Sequence, residues 1–137
     1  MPAYSPTPLA QKLGFKDHTR YLLVSPPDGF EQLLATKPAS AVAVTPRATA
    51  ADLIVFFAAD LAALTARLPA LIKKLPPAGA LWIAWPKLAS GVPTDLRDGV
   101  VRSTLLATGL VDIKVCSISD TYSGLKFVRR VKDRPKN

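Results

Sequence analysis

Two stretches of the chain are apolar at every position, and they predict the centre of a β-sheet. They are residues 53–59 and 78–85, both far shorter than the ~20 residues of a membrane-spanning helix. In parallel sheets helices cover both faces, so a central strand reads as a continuous apolar run rather than an alternating one. We therefore expect both stretches to contain central, parallel strands.

Helical spacing of leucines predicts a helix between these two strands. Leucine or isoleucine recurs from Leu61 to Leu75 at helical intervals, and Asp60 is placed to cap the first turn. Pro69 lies within the segment, which predicts a kink or two short helices because proline removes an intrahelical hydrogen bond. A second helix is expected from Thr94, as its N-cap, to Thr108, with Gly109 ending it.

The remaining elements are shorter. Before residue 52 we expect a helical turn at 8–13 closed by Gly14, a strand at 20–24, a short helical stretch at 29–37 and a brief strand at 41–45. Residues 111–117 and 125–130 predict two final strands. The seven residues that join them are too few for a parallel crossover, so these strands must pair antiparallel.

Strands that alternate with helices predict a three-layer, Rossmann-like α/β fold. Its sheet should hold about six strands, mostly parallel, with a C-terminal antiparallel hairpin. A length of 137 residues fits one domain, and 49% hydrophobic against 20% charged residues indicates a compact core. We expect residues 1–130 to form that single domain and residues 131–137 to form a basic tail.

The net charge of +8 is unevenly distributed. Residues 129–137 hold five basic residues and one acid, so half of the excess lies there. Such a tail can bind nucleic acid weakly and without sequence preference, or it can simply be a solvated terminus.

Cysteine and histidine are too few for a disulfide or a structural zinc site. The chain has one of each, Cys116 and His18, and we expect no metal. No basic segment followed by an apolar one marks a secretory signal at the N-terminus. These observations predict a cytoplasmic protein without a membrane partner.

The loop after the first strand departs from cofactor-binding patterns. Nucleotide-binding α/β proteins place a glycine-rich turn there, because glycine lets the backbone approach a phosphate or cofactor closely. This chain has Ser25-Pro26-Pro27-Asp28-Gly29-Phe30. The two prolines remove two NH donors from the position where a cofactor would need them.

Two resemblances carry further expectations. From residue 52 to 130 the order of elements resembles the latter part of class I methyltransferase folds, which implies a methyltransferase-like topology. Over almost its whole length the chain also resembles a small bacterial family of unknown function, through residues 4–10, 85–87, 89–96 and 109–116. That family supplies no known activity.

The methyltransferase resemblance implies an S-adenosylmethionine site with a glycine-rich first loop and an acid after the second strand. At the second position this chain has Thr45-Pro46-Arg47, so both features are missing and no cofactor is predicted. Asp28 could replace the acid from a different loop.

Ligands of open α/β sheets bind outside the carboxyl ends of the strands, which defines the candidate residues. They are Ser25, Asp28, Gly29, Arg47, Trp85, Lys87, Ser90 and Thr94. The helix starts at Gly29 and Thr94 offer free NH groups, and Lys87 and Arg47 add positive charge, a combination suited to a phosphate or carboxylate. Alternatively, Asp28 and Thr94 are ordinary caps and the two cations are solvated.

Two aromatic residues also have two interpretations each. Trp85 beside Lys87 can line a pocket for a planar or anionic ligand, or it can finish a core strand. Tyr122, in the hairpin connection, can act as an acid or stack on a ligand, or it can pack on its neighbours.

Three functional hypotheses follow. The first is a non-catalytic domain that binds a small anionic ligand or a partner protein at the strand-end cleft. The alternative is a divergent S-adenosylmethionine-dependent methyltransferase, or another enzyme, in which Asp28, Lys87 or Tyr122 handles protons. The third is weak, nonspecific nucleic-acid binding through the basic tail.

Overall fold

A computed structural model describes residues 8–130; the predicted tail at 131–137 and residues 4–7 of the family resemblance lie outside this range. The strands are β1 Arg20–Val24, β2 Val42–Ala43, β3 Leu53–Phe57, β4 Ala80–Pro86, β5 Leu110–Ser117 and β6 Tyr122–Arg129. The α-helices are α1 Leu9–Leu13, α2 Leu61–Lys73 and α3 Asp98–Leu106, and 3-10 helices lie at Phe30–Leu34 and Leu88–Ser90.

The six strands form one sheet in the order β2-β1-β3-β4-β6-β5. The first four are parallel, whereas β6 runs antiparallel to both β4 and β5. This confirms the predicted fold: a Rossmann-like, mostly parallel sheet with a closing antiparallel hairpin. Among residues 8–130, no helix combines the length and the hydropathy that crossing a bilayer requires.

Both predicted central strands lie inside the sheet, and all of their residues are buried. On the first face α2 and α3 cover them with leucine and valine side chains, among them Leu64, Leu68, Leu71, Val101 and Leu105. On the second face the cover consists of α1 and the first 3-10 helix, which contribute Leu13, Phe30 and Leu34. The two faces are therefore covered by elements of very different length.

A buried hydrogen bond holds the thin cover of the second face. The indole Nε1 of Trp82 on β4 donates to the backbone oxygen of Leu13 over 2.9 Å. Helix α1 has five residues, far too few to be stable alone, so it depends on such contacts. It ends as predicted at Gly14, whose φ of 99° is the left-handed conformation that favours glycine.

Two helix predictions need correction. Helix α2 is one element that runs through Pro69, so the expectation of two short helices is wrong, whereas a kink at Pro69 stays a prediction. Burial of the leucines against the sheet offsets the hydrogen bond that the proline removes. Asp60 caps the helix as expected, accepting from the NH of Ala63 at 2.8 Å. Helix α3 begins at Asp98 rather than next to Thr94. The Thr94 hydroxyl donates to the Ala59 oxygen at 2.7 Å and accepts from the NH of Leu96 at 3.1 Å, and it is therefore not a helix cap.

We predict that Trp82→Phe destabilises the protein more than Trp85→Phe. Both substitutions remove the same atoms from a buried β4 side chain, but within residues 8–130 only Trp82 uses its indole NH in a hydrogen bond. The buried Leu13 oxygen left without its donor should lower the free energy of unfolding by about 1–3 kcal/mol beyond the control. Urea unfolding followed by circular dichroism measures both variants, and equal losses would contradict the assignment.

Candidate functional site

A cleft of about 210 Å³ lies at the carboxyl ends of β1, β3 and β4, where open α/β sheets bind their ligands. Its lining comes from the loops that follow these strands and from the start of β6. The lining residues are Ser25, Phe57, Ala58, Ala59, Pro86, Val92, Pro93 and Tyr122. Most of them are apolar, so the cleft suits a ligand with an apolar part.

Aromatic rings in edge-to-face contact build one wall of the cleft. Phe57, the last residue of β3, meets Tyr122 edge to face at 5.2 Å between ring centroids and meets Phe30 in the same way at 4.8 Å. Tyr122 is held in place because it opens β6 directly opposite Pro86 of β4. Phe57 and Phe30 are both buried, so this wall is part of the core and is preorganised.

The proline-containing loop after β1 has a defined shape. Ser25 adopts a φ of 55°, a left-handed conformation that is costly for a residue other than glycine, and Gly29 adopts a φ of 83°. The NH of Phe30 closes the turn by donating to the Pro27 oxygen at 3.1 Å. Within residues 8–130, the NH groups of Asp28 and Gly29 make no hydrogen bond, so two donors beyond the prolines are available.

Side-chain hydrogen bonds fix the opposite rim, residues 87–97. The Ser90 hydroxyl donates to the Lys87 oxygen at 2.6 Å and accepts from the NH of Val92 at 3.2 Å. Thr94 ties the rim to Ala59, and the Asp95 carboxylate accepts from the NH of Leu61 at 2.8 Å. The rim is therefore fastened to the start of α2.

The structure brings some of the predicted residues to the cleft and separates others. Ser25 lines it, Asp28 and Gly29 belong to the adjoining loop, and Ser90 and Thr94 shape the rim. The side chain of Trp85 is buried in the core beneath α2 and α3. Lys87 points to the hairpin and donates to the Ser117 hydroxyl at 2.7 Å, while Arg47 is exposed beyond β2.

Several lining residues were missed by sequence reasoning. Phe57, Pro86, Val92 and Pro93 carry no chemistry-bearing group, and a search for polar strand ends passes over them. The sequence did contain a signal for Phe57. It is the last residue of a strand that is apolar on both faces, so its side chain was bound to lie at the carboxyl end of the sheet, where ligands bind. Residues 8–130 contain no group of three acidic, histidine or cysteine side chains placed to hold a metal ion.

We predict that Thr94→Val loosens the rim. Valine keeps the shape of threonine but removes the hydroxyl that bonds Ala59 and Leu96, which should cost about 1 kcal/mol of unfolding free energy in this solvent-accessible setting. Thr49→Val is the matched control, because Thr49 is exposed and its hydroxyl makes no hydrogen bond within residues 8–130. Urea unfolding and the rate of proteolytic cleavage within residues 87–97 report the effect; equal behaviour of the two variants would refute it.

A scan against protein-family models gives no match for this chain, and a search of the curated proteins gives none either. Solved structures do match. A TehB-like SAM-dependent methyltransferase from Corynebacterium glutamicum has a TM-score of 0.54 at 11% identity, over 92% of this chain and 89% of that one. Methanococcus jannaschii fibrillarin, a pre-rRNA processing protein, has a TM-score of 0.52 at 11% identity, over 88% and 73%. LepI in complex with SAM has a TM-score of 0.51 at 9% identity, over 90% and 47%.

At these identities the likenesses show the fold alone, and that fold is methyltransferase-like, as the order of elements predicted. Our first functional hypothesis, a non-catalytic domain that binds a small anionic ligand or a partner protein at the cleft, is wrong by this comparison. The neighbours that share the fold include SAM-dependent methyltransferases, and they favour the alternative hypothesis instead. Within residues 8–130, the side chains that line the cleft are mostly apolar or aromatic, and none of them is a cation.

Proposed function

We propose that the chain is a divergent S-adenosylmethionine-dependent methyltransferase that binds its methyl donor at the strand-end cleft. The observation that carries this proposal is the aromatic, largely apolar cleft at the carboxyl ends of β1 and β3, within a sheet of methyltransferase-like fold. We also propose a single cytoplasmic domain at 1–130 with a basic tail, and membership of the bacterial family that the sequence resembles.

The cleft lining suits the reactive end of this cofactor. When bound, S-adenosylmethionine supplies a methyl group on a positively charged sulfur. Aromatic rings attract cations, and an apolar surround can pack against the carbon atoms bonded to the sulfur. Phe57 and Tyr122 supply the rings, while Ala58, Ala59 and Pro86 supply the apolar surround.

The loop after β1 suits the polar end. The NH groups of Asp28 and Gly29, which make no hydrogen bond within residues 8–130, can hold a carboxylate. The exposed Asp28 carboxylate can hold an ammonium group or a hydroxyl. No acid follows β2, which is two residues long and ends before Thr45, so the usual ribose contact is missing. In our proposal Asp28 binds the ribose hydroxyls instead. This substitution is what makes the enzyme divergent.

The size of the cleft restricts how much of the cofactor it encloses. Ligand pockets generally measure about 300–1,000 Å³, whereas this cleft measures about 210 Å³. We infer that it encloses the methyl-bearing end and that the rest of the cofactor lies along the loop of residues 25–29. Tyr122 then faces the acceptor substrate, with its hydroxyl as the group that positions the acceptor or takes its proton.

We predict that S-adenosylmethionine stabilises the wild-type protein and that Ala59→Leu abolishes this effect. Ala59 is exposed and lines the cleft, so leucine fills the space without disturbing the core. Ligand at 100 times its dissociation constant adds about 2.7 kcal/mol, or roughly 8–10 °C in Tm, for a domain of this size. Differential scanning fluorimetry with the cofactor or its demethylated product measures the shift.

Ala66→Leu, on the exposed side of α2, is the matched control and should keep the full shift. Absence of any shift in the wild-type protein at 5 mM ligand, a concentration of order fifty times a 0.1 mM dissociation constant, would end the proposal. An equal Tm shift in the Ala59→Leu variant would show that the cofactor binds outside the cleft.

A second prediction concerns Asp28. Asp28→Asn keeps the shape and the backbone NH groups but removes the charge, and we expect cofactor affinity to fall about tenfold, the effect of losing one charge-assisted hydrogen bond. Asp120→Asn, an exposed acid of the hairpin connection, is the control. Isothermal titration calorimetry compares them, and unchanged affinity in Asp28→Asn would assign the loop's role to its NH groups alone.

A further inference from the structure

Lysines from separate parts of the chain gather on one face of the β5–β6 hairpin. Lys114 of β5 and Lys126 of β6 are directly paired across the two strands. The neighbours of Lys126, Leu125 and Phe127, point into the core beneath α2 and α3, so Lys126 itself lies on the opposite face, the α1 side. A Cβ atom added to Gly14 would lie 3.3 Å from the Lys126 Nζ, which places this ammonium group at the end of α1.

Two more lysines continue the same surface. Lys114 Nζ donates to the backbone oxygen of Lys12 at 3.2 Å, so the last turn of α1 adjoins β5. Lys16 follows α1 and acts electrostatically on Lys126. We call these four residues the lysine face: Lys12, Lys16, Lys114 and Lys126.

Within residues 8–130, no ion pair includes a residue of the lysine face. The ion pairs of this range join Arg20 to Asp52 and Arg102 to Asp98 and Asp112. Burial lowers the pKa of Lys126, and the neighbouring charges of Lys114 and Lys16 lower it further. Repulsion of this kind is relieved when an external polyanion binds.

We infer that the lysine face binds the sugar-phosphate backbone of a single-stranded nucleic acid. Lysine binds phosphate as a flexible point charge, and four neighbouring lysines without an ion-pair partner within residues 8–130 provide the electrostatic footprint of a nucleic-acid-binding surface. The ammonium groups of Lys114 and Lys126 both lie at the last turn of α1, which concentrates the charge where the helix meets the hairpin. This surface belongs to the folded body, in contrast to the tail considered from the sequence.

The lysine face leads to the cleft. Tyr122 lies on the same side of β6 as Lys126, four residues away, or about 13 Å along the strand. An aromatic ring at the end of a basic path is a stacking position for an unpaired base. Binding itself does not rest on the proposed methyl transfer; if that proposal also holds, the bound strand is the acceptor substrate.

A lipid surface fits these residues less well, because membrane-binding faces combine basic with apolar side chains. The exposed Val115 pairs with Leu125, whose side chain belongs to the core beneath α2 and α3, so Val115 lies on the other side of the hairpin from the lysines.

The test is fluorescence anisotropy of labelled single-stranded 15-nucleotide RNA and DNA, and of the corresponding duplex, with the full chain and no cofactor. Four lysine contacts predict a slope of log K against log salt of about −2.8, or roughly a fiftyfold loss of affinity from 50 to 200 mM salt. Lys16→Gln with Lys114→Gln, both exposed positions, should reduce the slope to about −1.4 and weaken binding roughly 25-fold at 100 mM salt.

Two matched variants remove the same charge elsewhere. Arg67→Gln with Lys73→Gln changes exposed residues of α2, on the other face of the sheet, and Lys132→Gln with Lys136→Gln changes the tail. Both should bind within about threefold of wild type, the effect of net charge alone. If the tail variant loses affinity and the lysine-face variant does not, or if the duplex binds more tightly than either single strand, the inference is overturned. Anisotropy is independent of the cofactor-induced Tm shift, so this proposal and the proposed function fail separately.

Discussion

The hydrogen bond from Trp82 to Leu13 is the contact on which the second face of the sheet depends. Strands β3 and β4 are apolar on both faces, so both faces must be covered if the sheet is to exist. On the first face, two helices of ordinary length provide the cover. On the second, a five-residue helix does so, and the buried indole satisfies its terminal carbonyl while fixing it over β4.

The proline-containing loop after β1 is likewise held in one shape by a few local contacts. Pro26 and Pro27 remove donors, yet proline also fixes φ, and the loop holds Ser25 in a left-handed conformation that it would not otherwise favour. Phe30, buried against Phe57, anchors the other end. In a glycine-rich loop the backbone can approach a ligand closely because glycine has no side chain. In this loop proline restricts φ and fixes the shape, and within residues 8–130 the NH groups of Asp28 and Gly29 make no hydrogen bond.

Sequence patterns predicted the elements well where burial determined them. The two-sided apolar runs gave β3 and β4, and a short connection gave the antiparallel hairpin. Helix boundaries that depend on a single side chain were harder to predict from the sequence. Threonine is a common helix cap, but the Thr94 hydroxyl donates to the backbone oxygen of Ala59, 35 residues away. The cleft was located by the strand-end rule, but its aromatic wall depends on which face each strand-end residue occupies, and that requires the register of β4 with β6.

The short cover of the second face also explains why cleft and lysine face adjoin. Helix α1 and the first 3-10 helix cover the strands from β1 to β4 on this side, and the end of α1 reaches the hairpin at Lys114 and Lys126. A longer helix would require apolar residues at these two positions. Tyr122 lies in both regions, because its ring meets Phe57 edge to face and it shares the side of β6 that carries Lys126. The apolar cleft and the basic surface meet at this residue because both result from the short helices that cover this face of the sheet.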